Sequence, residues 1–108
     1  RGRDKDLDIL VHDHDPIVRE AVASVGRKQD LDILVHDEDW QVRETVTEMG
    51  RPQDLDRLVH DKDPRVRMAV AEYSEYQEEL AHDNSPEVRD FVSQRRSAAI
   101  EKRRREEK

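Results

Sequence analysis

The sequence contains no cysteine. That absence removes disulfides, thiolate zinc sites, iron–sulfur ligation and cysteine nucleophiles together, and makes a reducing compartment the simplest setting. Long apolar runs are missing as well. No stretch approaches the roughly 20 residues of a membrane-spanning helix, and the opening RGRDKD does not resemble a secretory signal. A cytoplasmic location is expected. The chain opens on Arg1 with no initiator Met, as a processed end or a longer natural chain would.

Apolar residues are scarce too, 33% against 44% charged, which places the composition near the border of disorder. The regular placement of the 24 Leu, Ile, Val and Phe residues marks the chain as folded around a lean core. A length of 108 residues suits a single domain, residues 1–108. The net charge of −7 is unevenly held: residues 1–93 carry 13 basic and 24 acidic groups, residues 94–108 carry 7 and 3. The body is therefore −11 and the tail +4.

Laid against itself, the sequence repeats. Residues 2–25 (GRDKDLDILVHDHDPIVREAVASV), 26–49 (GRKQDLDILVHDEDWQVRETVTEM) and 50–73 (GRPQDLDRLVHDKDPRVRMAVAEY) align without gaps at 24 residues. A fourth unit, 74–93, fits with two residues deleted near its start, and a charged tail, 94–108, follows. A fixed period of this size is the signature of a solenoid whose units bury one another. In the second half of each unit the apolar positions recur at helical spacing, as in Val18, Ala21, Val22 and Val25 or Val66, Ala69, Val70 and Tyr73. Leu7, Leu10 and Val11, with their counterparts, mark a shorter helix before it.

Punctuation agrees with this reading. Asp15, Asp39, Asp63 and Ser85 stand at N-cap positions, and Pro16, Pro64 and Pro86 follow at the first helical position, where a missing N–H costs nothing. Gly26 and Gly50 come just past the helical stripe, as C-terminal glycines do. Each repeat is thus predicted to be short helix, tight turn, longer helix, glycine turn. Helices this short are marginal alone, so stacking must hold them, each buried Val or Leu contributing roughly 1.5–3 kcal/mol.

The run D-P-x-V-R-x-A-V, seen as DPIVREAV and DPRVRMAV, resembles HEAT-type repeats, and the 24-residue unit is most similar to the leucine-rich repeat variant family. The resemblance spans residues 2–93. It implies an all-α, right-handed superhelix of about four helix-turn-helix repeats with alternating longer and shorter helices, the shorter often 3₁₀, closed here by a C-terminal helix. The iron–sulfur cluster found in that family is not carried over, because its cysteines are missing here.

Recurring polar columns are the candidate sites. Arg19, Arg43, Arg67 and Arg89 lie in the first turn of the longer helices. They form either an anion-binding ridge or a structural ladder. In the ladder, each arginine pairs with the capping aspartate four residues earlier (Asp15, Asp39, Asp63), or with Asp13, Asp37, Asp61 or Asp83, within or between repeats. The ladder is preferred, and the HEAT resemblance implies one. His12, His36, His60 and His82, each followed by Asp, invite a metal site or an HD-type phosphohydrolase. Packed helices sit about 8–10 Å apart, whereas zinc ligands lie about 2 Å from one ion, so a column does not converge. An enzyme also needs different residues in different roles, and a column repeats one. These histidines, with His14, are assigned to structure or to the helix dipole, and no catalytic residue, metal or cofactor is expected.

Trp40 stands where the other repeats have proline, either packing on its neighbours or contacting a partner. Ile9, Ile17 and Ile33 occupy positions that turn to Arg57, Arg65 or polar residues later in the chain. They fit an upstream unit, a dimer, a partner or crowded internal packing. Outward positions of successive longer helices, Glu20, Glu44, Met68 and Asp90 beside Ser24, Glu48 and Glu72, make an acidic face. The expected function is a non-catalytic protein-interaction scaffold that meets a basic partner on that face. Its alternative is a nucleic-acid accessory role for the basic tail, Lys102–Arg105. Against that, Glu101 with Arg105 and Lys102 with Glu106 are spaced as a solvated helix, and the acidic body repels phosphate.

Overall fold

Three aspartates start three helices. Asp15, Asp39 and Asp63 have extended backbones and accept the N–H of Ile17, Gln41 and Arg65 at 2.9, 2.8 and 2.9 Å. This satisfies one of the donors that a helix start leaves without an internal partner. The helices are α2 (Pro16–Val25), α4 (Trp40–Glu48) and α6 (Pro64–Val70). A fourth, α8 (Pro86–Glu106), follows Ser85, whose side chain makes no capping bond, contrary to expectation. Ser85 donates its own N–H to Asp83 at 2.9 Å, just as Asp15, Asp39 and Asp63 donate theirs to Asp13, Asp37 and Asp61 in addition to capping.

The shorter helices are α1 (Gly2–Leu10), α3 (Lys28–Leu34), α5 (Pro52–Leu58) and α7 (Gln77–Leu80). They are α-helical, and among the described residues 3₁₀ geometry is confined to Ser74–Tyr76, just before α7, where the fourth unit is two residues short. In the third unit the two helices are equally long, 7 residues each. The computed structural model describes residues 2–107, with side chains from Asp4 onward; Arg1 and Lys108, the ends of the expected domain, lie outside the described residues. Among the described residues there is no strand, and no helix is long and apolar enough to cross a membrane.

Each long helix packs on the next one along the chain, α2 on α4, α4 on α6, α6 on α8, and each short helix packs on the long helix that follows it. Valines fill the row between them: Val42, Val46, Val66, Val70, Val88 and Val92 are each at most 1% exposed. Leu31, Leu34, Leu55, Leu58 and Leu80 join them from the short helices. The molecule measures 53 × 33 × 21 Å. Gly26 and Gly50 turn the chain at φ of 84° and 71°, a region that L side chains avoid. A Cβ on Gly50 would also lie 3.4 Å from the Tyr73 hydroxyl.

The arginine column joins neighbouring units and does not use the capping aspartates. Arg43 donates through Nε and Nη2 to both carboxylate oxygens of Asp61, 18 residues on, at 2.8 and 3.1 Å. Its Nη1 donates back to the Asp37 carbonyl at 2.6 Å. Arg19 treats Asp37 and the Asp13 carbonyl in the same way, and Arg67 treats Asp83 and the Asp61 carbonyl. Of the pairings open in the sequence, the structure takes the one between units. Burial acts to raise the Asp83 carboxyl, but the hydrogen bonds from Arg67 and the Ser85 N–H outweigh it and hold the group below its usual range.

A second ladder runs beside the first and was not anticipated. Arg27 grips buried Asp30 at 2.7 Å and reaches back to Asp8 at 2.7 Å; Arg51 does the same with Asp54 and Asp32 at 2.7 and 2.8 Å. Farther on, the Tyr76 hydroxyl donates to Asp56 at 2.6 Å, and Arg96 pairs with Glu78 at 2.8 Å. The hydrogen bond to Asp56 pushes the Tyr76 phenol up to about 12. Its signal was legible: Gly-Arg-x-x-Asp recurs at 26–30 and 50–54. With both ladders formed, no buried side-chain nitrogen or oxygen among the described residues lacks a partner.

Candidate functional site

On the long-helix row the ladder arginines have neighbours of opposite fate. Arg43 is buried and bonded on two sides, while Glu44, next in sequence, points into a groove across α4, α6 and α8. The groove encloses about 440 Å³. Met68, Ala69, Tyr73 and Phe91 supply apolar surface, with Glu44, Glu48 and Glu72 among them.

Trp40 is part of its lining. Its ring carries the Arg65 guanidinium at 3.8 Å from the centroid, and Arg65 is tied to Asp63 at 2.8 Å. A partly exposed stack of this kind is worth about 0.5–1 kcal/mol. Trp40 therefore packs against the body and also borders the groove. Arg95 lies 4.7 Å from the centre of the Phe91 ring and donates to Glu72 at 2.5 Å. The groove is anchored below, where the Tyr73 hydroxyl donates to the Thr47 carbonyl at 2.7 Å.

The electrostatics are lopsided. Arg95 neutralises Glu72, whereas Glu20, Glu44 and Glu48 have no cation within ion-pair distance among the described residues. Glu44 is half-buried, and its carboxyl is raised above the usual range first by loss of water and then by the like charges of Glu48 and Glu20. A cation arriving at this edge would relieve that repulsion. Of the residues expected to meet a partner, Trp40, Glu44, Glu48, Met68 and Glu72 line the groove, and Glu20, Ser24 and Asp90 do not. Tyr73, Phe91 and Arg65 also line it, and sequence reasoning had not placed them there. Tyr73 was placed in the helical core stripe, Phe91 falls at the same helical spacing beside Val88 and Val92, and Arg65 differs from its counterparts Ile17 and Gln41.

The histidine column stands just past the C-terminal ends of the short helices. His12, His36, His60 and His82 each close a turn through the backbone N–H, at 3.1–3.2 Å, while their side chains are exposed. His60 and His82 approach only Glu79 and Glu78, at 3.4 and 3.7 Å. No group of three or more His, Asp or Glu among the described residues is placed to hold a metal ion. In the tail, Glu101 approaches Arg104 at 3.8 Å, and neither the expected Glu101–Arg105 nor the Lys102–Glu106 pair forms among the described residues. The tail is the continuation of α8, one helix from Pro86 to Glu106. No protein-family model, curated protein or solved structure matches this chain.

Proposed function

We propose that the chain is a non-catalytic interaction module, a short right-handed α-solenoid of the HEAT-like, leucine-rich repeat variant kind. Its groove across α4, α6 and α8 takes a partner segment that is basic and partly apolar. One observation carries the reading: the unpaired carboxylates Glu44 and Glu48 stand against an apolar surface of Met68, Tyr73 and Phe91. Apolar side chains of the partner would fill the groove, and its Lys or Arg groups would meet Glu44, Glu48 and, beyond the rim, Glu20. No cofactor is involved in this reading.

The alternative, a nucleic-acid accessory role, is favoured by the exposed run Lys102–Arg105 on the free half of α8. Two cations near it, Arg95 and Arg96, are engaged by Glu72 and Glu78. The test is fluorescence anisotropy with labelled probes: a peptide alternating Lys with Leu, its Glu-for-Lys analogue, and a DNA duplex. The basic peptide should bind, weaken steeply with salt, and lose at least about tenfold in affinity with Glu44→Lys and Glu48→Lys together. Equal binding of the Glu analogue, or indifference to both substitutions, overturns the proposal. Duplex binding that disappears when Lys102–Arg105 are changed to Glu favours the alternative.

A further inference from the structure

The repeat makes its own control for what covers each end of the stack. Leu34, Leu58 and Leu80 are 1%, 1% and 2% exposed, but their counterpart Leu10 is 36% exposed. Val42, Val66 and Val88 are sealed at 0%, while Val18 is only half-buried. These columns lose their cover in the first unit alone. The opposite end differs in kind. Ala23, Thr47 and Ala71 are at most 1% exposed and their counterpart Ser93 is exposed; Arg89 is exposed where Arg19 and Arg43 are buried.

The ladder is cut at the same two places. Arg89 donates Nη1 to the Asp83 carbonyl at 2.7 Å, as its counterparts do, but no carboxylate among the described residues meets its Nε and Nη2. Asp13 accepts the Asp15 N–H at 2.8 Å, as its counterparts do, but no arginine among the described residues reaches it. One end therefore presents the donor half of a junction, and the other presents the acceptor half with its apolar surface. Each internal junction shows how the halves fit.

We infer that these ends bind one another between copies: the Arg89–Ser93 end of one chain stacks on the Leu10–Val18 end of a second, and Arg89 grips Asp13. Charge favours this occupant over a symmetric pairing of two first units, which would bring Asp4, Asp6, Asp8 and Asp13 against themselves. The junction lacks the turn that Gly26 and Gly50 provide inside the chain, because α8 runs straight on to Glu106. Side chains alone must hold it, so association is expected to be weak, concentration-dependent and salt-sensitive. The contact is heterologous and propagates unless a ring closes. It does not depend on the groove.

Sedimentation equilibrium of the full chain at low and high salt, to about 1 mM, tests this. Average mass should rise with concentration at low salt. Asp13→Arg and Arg89→Asp should each weaken self-association at least about tenfold. Mixing these two variants should restore a complex, since each retains the end the other has lost, and the double variant in one chain should associate again through the reversed pair. Leu10→Lys should also weaken association, with circular dichroism confirming an unchanged helix content for every variant. A chain that stays monomeric throughout overturns the inference. So does association indifferent to both charge reversals, or one that Leu10→Lys abolishes while Arg89→Asp leaves it untouched.

Discussion

Arg43 and Glu44 are adjacent in sequence and on one helix, yet they stand for two regions governed by different physics. The ladder region is closed: inside the row its charges are bonded and largely desolvated. The groove region is open: carboxylates crowd one another, aromatic and thioether side chains remain half wet, and the nearest cation lies over an indole. A repeat can afford one unbalanced face because the other face carries the fold. Invariance down a column marks the ladder region, and departures from the column, Trp40 for proline and Phe91 for alanine or threonine, mark the groove.

The largest effect should come from breaking the closed face. Arg43→Ala leaves Asp61 buried without its partner and should cost about 3–5 kcal/mol, a large part of the stability of a small domain. Thermal or urea unfolding would measure it, and a loss below about 1 kcal/mol would mean the ladder is decorative. Gly50→Ala comes next. It forces a side chain into the left-handed region beside Tyr73, with an expected loss of about 1–2 kcal/mol by the same measurement.

Acid should separate the regions by sign. Asp83 and Asp63 are held below the usual carboxylate range, Asp63 chiefly by the Arg65 side chain. Their contribution is present above about pH 4 and is lost as pH falls through their lowered values. Glu44 is raised, so the folded state holds its proton more tightly and that contribution is lost as pH rises through the raised value. Glu44→Gln should therefore stabilise slightly at neutral pH, within about 0.5 kcal/mol, and the gain should vanish near pH 4. Unfolding of the wild type and this variant across pH 3–8 reads both signs.

The helices were legible because their signals are local. An Asp-Pro step, a valine every third or fourth residue and a glycine after the stripe each report on a turn or two of chain. The ladder was half legible, since the arginine column is plain but its partner is 18 residues away, in the next unit. Spacing within one helix cannot distinguish that from a bond four residues back. Ser85 shows another gap: its place is that of a cap, but its hydroxyl makes no capping bond. The groove was legible only in its acidic members. Tyr73 and Phe91 follow the core stripe and are left half-covered by how adjacent helices meet, which no single repeat encodes.

Trp40 is the chain's one tryptophan. An indole that carries a guanidinium and also forms the wall of the groove is a built-in optical probe of that groove. A segment settling there must either press on the ring or lift Arg65 from it, and either event changes the polarity around the fluorophore. Occupancy can thus be followed at an emission wavelength the other aromatics do not share, without attaching a dye.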